Sequence, residues 1–400
     1  MFCSIFAQII IKVALPVSIT SLSSFSPLGN SPEQVWKNYL QPTSLIQHVA
    51  IGNKMVPVAF LPDDLAAIVK QMALSDLRYK NLDNSVLYAI LASREAAVKA
   101  GWGTNDIFGI NIGSSRGATA LFEKHFQEYM ETGKSGVQAS PSTTLGNISS
   151  WVANDLKSNG PDISHSITCS TALHALLNGV AWLRAGMADK FLVGGSEAPL
   201  TPFTIAQMQA MKIYSGLDTD YPNLALDMDK KINTMVLGEG AASACLEIGI
   251  KENALAYVEG IGYATEELKH SVSISANAEC LQKSMQMALQ GIDISQIDAI
   301  VMHAPGTVKG DSSELIAIKN IFGESLPLLT TNKWKIGHTF GASGLLSLEM
   351  AVLMMQHNTF VGVPYLNDTE FILKKDIKKV LINAVGFGGN AVSIVVSKTL

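Results

Sequence analysis

Short β-rich apolar runs alternate with amphipathic or wholly apolar helical patterns along most of the chain, a pattern that predicts α/β layering. VSITSL (17–22) reads as a strand and SPEQVWKNYL (31–40) as a helix with Ser31 as its N-cap. NSVLYAILASREAAVKAG (84–101) predicts a long helix closed by Gly101, and IFGINIGSS (107–115) a strand running into a glycine turn. A helix is expected after Cys169 towards Arg184-Ala185-Gly186, followed by a buried strand and turn in KFLVGGSEA (190–198). The second half repeats this grammar: strand-like 254–265, a helix over 279–292, the strand AIVMHAPGT (299–307), then a loop and a long apolar helix across 331–358. Both helices, after Cys169 and after His338, begin with small residues and continue with large apolar ones. This predicts an internal duplication in which each half contributes one buried helix whose N-terminus faces a shared cleft. VLINAVGFGGNAVSIVV (380–396) reads as two strands joined by a glycine turn, and a boundary falls near residue 252.

Composition sharpens this. Of 400 residues, 48% are hydrophobic and 16% charged, with a mean hydropathy of +0.24, so a large core with fully buried helices is expected. A net charge of −5 offers no basic footprint for nucleic acid, although an acidic protein carrier could dock on a local basic patch. Cys3, Cys169, Cys245 and Cys280 form no CxxC pair, which supports neither a zinc site nor a disulfide framework and makes a reducing cytoplasm the expected location. No uncharged apolar run is long enough to span a membrane. The start, MFCSIFAQIIIKVALPV, resembles a signal h-region, but Lys12 interrupts it and no cleavage site follows, so an extra strand or an overextended start is read there.

Candidate chemistry lies on four loops. TCSTA (168–172) places Cys169 at a helix start, where unpaired N–H groups favour a thiolate, though a lone cysteine is more often an inert buried thiol. HAPGTVKGD (303–311) puts His303 at the end of a buried strand, and NKWKIGHTFGASG (332–344) places Lys333 five residues before His338, which is read as opening the apolar helix. GFGGN (386–390) surrounds Phe387 with glycines whose backbone freedom can aim N–H groups into a cleft.

In this order, TCSTA, GGSEA, LGEGA (237–241), HxxGTxxGD, KxxxxGH with GASG, and GFGG resemble the β-ketoacyl-acyl-carrier-protein synthases, specifically the elongating kind with a Cys-His-His site. The resemblance runs from about residue 17 to the C-terminus. It implies a thiolase-like five-layer αβαβα fold of two similar halves: 1–252 carrying the nucleophile and 253–400 carrying the histidines. It also implies a dimer, either of identical chains or with a second ketosynthase-like chain, and an acyl carrier protein as partner. No resident cofactor or metal is implied, since phosphopantetheine arrives on the carrier. By the same resemblance Cys169 is the acyl-accepting nucleophile, His303 and His338 are the catalytic histidines and Lys333 the site lysine. Asp311 and Glu314 are the acidic residues that follow the first histidine, Thr307 contacts pantetheine, and Phe387 is the gate. The N–H groups of Cys169 and Phe387 would form the oxyanion hole. Phe203 and the 104–136 region would reach the acyl tunnel or dimer interface.

Several positions depart from that pattern. Pro305 stands where a pantetheine-contacting threonine is common, and Ser347 where a glutamate often follows the second histidine by nine residues. Glu349 lies two residues further on, turned to another helix face. The last motif reads GFGGNA, and the spacing around DMDKKINTMVLGEGA (227–241) is unusual. These changes point to specialised polyketide, aryl-polyene-type synthesis or a similar pathway rather than housekeeping fatty acid synthesis. Thiolases would need a second cysteine near the C-terminus, and initiating synthases an asparagine at the position of His338. A non-catalytic chain-length-factor-like subunit, which lacks the nucleophile, is the main alternative.

Overall fold

The computed structural model describes residues 15–400 apart from residue 146, residues 268–273 and residues 367–369; the N-terminal stretch read as strand or overextension lies outside it. Two five-stranded sheets organise the molecule. In the first, the spatial order is Val17–Phe25, Gly240–Ile248, Lys190–Glu197, Gly109–Gly113 and Asp162–Ile163. In the second it is Ala256–Thr265, Asn390–Ser397, Lys379–Val385, Ala299–Val301 and Leu328–Thr330. Numbered along each half, both sheets read 1-5-4-2-3, with the same antiparallel and parallel pairings. The duplication inferred from two similar helices is therefore present in the topology of both halves.

The helix Thr171–Arg184 links the third and fourth strands of the first half, and Ser343–His357 occupies the equivalent link in the second. The two helices contact each other between the sheets. Every residue from Ser343 to Met355 is buried, which explains why that stretch has almost no charge. The core they share with the inner sheet faces joins both halves, since it includes Val17, Leu176, Val193, Leu346, Ile382 and Ile394. Asn84–Lys99 covers the outer face of the first sheet; Glu279–Ala288 and Val308–Phe322 belong to the layer outside the second. The result is the expected thiolase-like αβαβα stack.

Local signals held where the chemistry is local. Ser31 Oγ accepts from Gln34 N at 3.2 Å, and the chain leaves Asn84–Lys99 through Gly101 at φ +70°. A small sheet formed by Gln47–Ile51, Lys54–Ala59 and Leu237–Gly238 was not read from the sequence. His338 does not open the apolar helix as expected. It pairs with Leu237 as an isolated bridge, and a 3-10 turn, Phe340–Ala342, separates it from the helix start at Ser343.

Candidate active site

Cys169, His303, His338, Phe340 and Phe387 line one cavity of about 420 Å³, although they come from loops of both halves. Cys169 sits two residues before the helix Thr171–Arg184, and its neighbour Thr168 has φ +46°. His303 follows the strand Ala299–Val301 and is succeeded by Ala304 at φ +23°; Phe340, two residues past His338, has φ +41°. Left-handed backbone at three non-glycine residues close to Cys169, His303 and His338 is local strain concentrated at one site.

The Phe387 loop meets the cysteine loop directly. Thr168 Oγ1 donates to Phe387 O at 3.3 Å. A Cβ on Gly386 would lie 1.7 Å from Thr168 Oγ1 and 3.0 Å from Cys169 N, so only glycine lets the two loops close. Gly388 and Gly389, at φ +87° and +66°, turn the chain back into the strand Asn390–Ser397.

Electrostatics revise one expectation. Burial, and secondarily the Glu197 carboxylate, push the Cys169 thiol up to about 12, against the lowering effects of Lys333 and Arg116. Burial therefore favours the protonated thiol at Cys169. Burial also keeps both imidazoles neutral. His338 falls to about 3, and His303 lies well below its ordinary value, helped by its neighbours His338 and Lys333. The two rings stand perpendicular with centroids 5.1 Å apart. Nδ1 of each is buried without a hydrogen-bond partner among the described residues.

The acidic residues after His303 act on its backbone. Glu314 accepts from His303 N and Ala304 N, both at 2.9 Å, and from Asn383 Nδ2 at 3.2 Å. Asp311 accepts from Gly306 N and Thr307 N and forms a fully buried ion pair with Lys230 at 2.8 Å. Thr307 caps the helix Val308–Phe322 through Gly310 N. Lys333 is buried, and its Nζ donates to Ser347 Oγ at 3.2 Å, so the position without a glutamate supplies a neutral acceptor. Burial brings Lys333 down to about 8. Glu349 faces away, into a separate cavity of about 390 Å³ beside Thr20 and Lys99. Phe203 is exposed and does not line the cavity that holds Cys169.

Three participants escaped the sequence reading. Lys230 lies in the irregularly spaced segment. Glu197, in GGSEA, accepts from the backbone N–H groups of Ser115, Arg116 and Gly341, and so ties the loop after the strand Gly109–Gly113 to the one after His338. Arg116 sits beside Phe340. Only GGSEA carried a signal, as one of the ordered motifs.

Residues 14–249 match the family model of the β-ketoacyl synthase N-terminal domain, and residues 255–367 that of its C-terminal domain. The chain belongs to the β-ketoacyl synthase family. As a member it is an acyltransferase of the ketosynthase kind. It is 28% identical to a 3-oxoacyl-[acyl-carrier-protein] synthase 2 of Coxiella burnetii over 96% of this chain and 98% of that protein. Among solved structures, the ishigamide ketosynthase/chain length factor superposes with a TM-score of 0.84 at 19% identity, covering 96% of this chain and 99% of the other. A type II polyketide ketosynthase in complex with its acyl carrier protein gives 0.82 at 20% identity, over 96% and 99%. Among the described residues no helix is long and apolar enough to cross a membrane.

Proposed function

We propose that this protein condenses an acyl group held on Cys169 with malonyl-acyl-carrier protein, in a specialised polyketide or fatty acid pathway. The observation that carries the reading is the convergence of Cys169, His303 and His338 on one buried cavity. Because the resting cysteine is a thiol, its proton must pass to the departing pantetheine sulfur as the cysteine sulfur attacks the acyl thioester. The N–H groups of Cys169 and Phe387 would hold the developing oxyanion, and the pantetheine thiol would leave with a proton. Malonyl thioester then enters. Its carbonyl oxygen accepts from Nε2–H of His303 and His338, the C–C bond to the carboxylate breaks, and carbon dioxide departs. The enolate carbon attacks the acyl-Cys169 carbonyl, expelling the cysteine thiolate and lengthening the chain by two carbons. Lys333 tunes the field around the His pair, while Glu314 and Asp311 position the His303 loop.

A basic hollow of about 620 Å³ at the surface shares Asn233 and Lys309 with the catalytic cavity and adds Lys212 and Lys231. Its charge suits an acidic acyl carrier protein, with phosphopantetheine threading past Thr307. A cytoplasmic setting suits the free thiols of Cys169, Cys245 and Cys280. Whether the second subunit is identical or a chain-length-factor-like chain is answered by purifying the native assembly.

The test is mass detection of an acyl adduct on Cys169 after incubation with acyl carriers. An adduct that Cys169→Ala abolishes supports the reading, and no adduct from any carrier sinks it in favour of a non-catalytic partner subunit. Malonyl decarboxylation should fall at least a hundredfold in His303→Ala, the order expected for a lost transition-state donor.

A further inference from the structure

Beyond the histidines, Cys169 belongs to an apolar cluster with Ile205, Met208, Met235 and Phe340. During condensation the extender thioester needs the side of the cavity that carries His303 and His338, which leaves the Met235 and Phe340 wall of this cluster for an acyl group on Cys169. A cation borders this cluster at Phe340. The Arg116 guanidinium lies 5.8 Å from the Phe340 ring centroid and donates to Gln207 Oε1. Gln207 sits on Pro202–Ala210, the helix that supplies Ile205 and Met208 to the cluster. Arg116 N is held by Glu197 Oε1 at 3.3 Å, which fixes where the side chain starts. Its charge is felt at the sulfur, since it draws the Cys169 pKa down. Among the described residues, no carboxylate lies within ion-pair distance of this half-buried guanidinium.

A saturated chain reaching this end would cover guanidinium N–H groups without giving them an acceptor. An oxygen at the same place would take a charge-assisted hydrogen bond, and carboxylate geometry matches the guanidinium fork. Sites built around a buried donor discriminate strongly against the analogue that lacks the oxygen.

We propose that Arg116, supported by Gln207, determines specificity by selecting acyl groups with an acceptor oxygen, a ketone or a carboxylate, at their distal end over saturated acyl groups of similar length. The proposal rests on Cys169 being the acyl acceptor. The test uses the full chain, with its partner subunit if one co-purifies, and three pantetheine thioesters: hexanoyl, 5-oxohexanoyl and 5-carboxypentanoyl. The rate of Cys169 acylation is followed by intact-mass spectrometry. The oxygenated substrates should react about tenfold or more faster than hexanoyl, and R116M should abolish or reverse that ratio. A lead for the carboxylate substrate identifies an anionic acyl terminus, and a lead for the ketone a neutral one. R116Q makes the same comparison should R116M not fold. Equal rates in the wild type, or an unchanged ratio in the variants, overturn the selectivity and leave the ketosynthase reading intact. No adduct from any thioester overturns both.

Discussion

Replacing Lys333 by methionine should make the protein more stable and less active at once. Lys333 is 1% exposed, and the only hydrogen bond its ammonium makes among the described residues is to the Ser347 hydroxyl. Burial takes its pKa from 10.5 to about 8, which corresponds to about 3 kcal/mol against keeping the charge in the folded state. The sign follows from proton counts. Below pH 8 the lysine is charged in both folded and unfolded chains, so the whole penalty is present. Between pH 8 and 10.5 the unfolded chain binds more protons, so wild-type stability recovers as pH rises. Methionine fills nearly the same volume without charge, but leaves the Ser347 hydroxyl unpaired, which costs about 1 kcal/mol. A net gain of about 2 kcal/mol is therefore expected at pH 7, reversing to a loss of about 1 kcal/mol by pH 10.5. Urea unfolding midpoints of the two proteins across that range give the readout, with condensation rate measured in parallel. A variant less stable than wild type at pH 7, or a stability difference that ignores pH, would refute the reasoning and show that the charge is well compensated where it lies.

Among the described residues Glu349 Oε2 has no hydrogen-bond partner, and burial raises the Glu349 pKa from 4.5 to about 7. Glu349→Leu should thus gain stability over wild type progressively from pH 4.5 to 7, by up to about 3 kcal/mol, with condensation unchanged; equal unfolding midpoints at pH 8 would contradict this. Asp311→Asn leaves Lys230 buried without a counter-charge and should cost about 3–5 kcal/mol, much of it recovered in the Asp311→Asn/Lys230→Met double variant, as a thermodynamic cycle would measure. Gly386→Ala drives a methyl group into Thr168 and, if the Phe387 loop holds the proposed oxyanion, should lower kcat more than a hundredfold; Thr168→Ala in the same chain should restore part of it, and no restoration would place the damage elsewhere.

Much of this protein was legible because its signals are local. Alternating apolar runs, Ser31 as a cap, Gly101 as a stop and the glycines around Phe387 are consequences of dihedral preference and nearest-neighbour hydrogen bonding, so the sequence by itself determined the α/β alternation, the duplication and the ordered motifs that identify the family. The chain could also show that Ser347 is not a carboxylate and that Glu349 points elsewhere, since helical periodicity settles both. Only the tertiary structure decided the charge states and the pairings. The Cys169 thiol is held up by burial that depends on both halves closing over it. Lys230 meets Asp311 across a sequence separation of 81 residues, and Glu197 ties two loops whose proximity no local pattern encodes. Arg116 was passed over for the same reason: a guanidinium gains its meaning from the ring, the amide and the sulfur around it, and those arrive from Phe340, Gln207 and Cys169 only when the chain has folded.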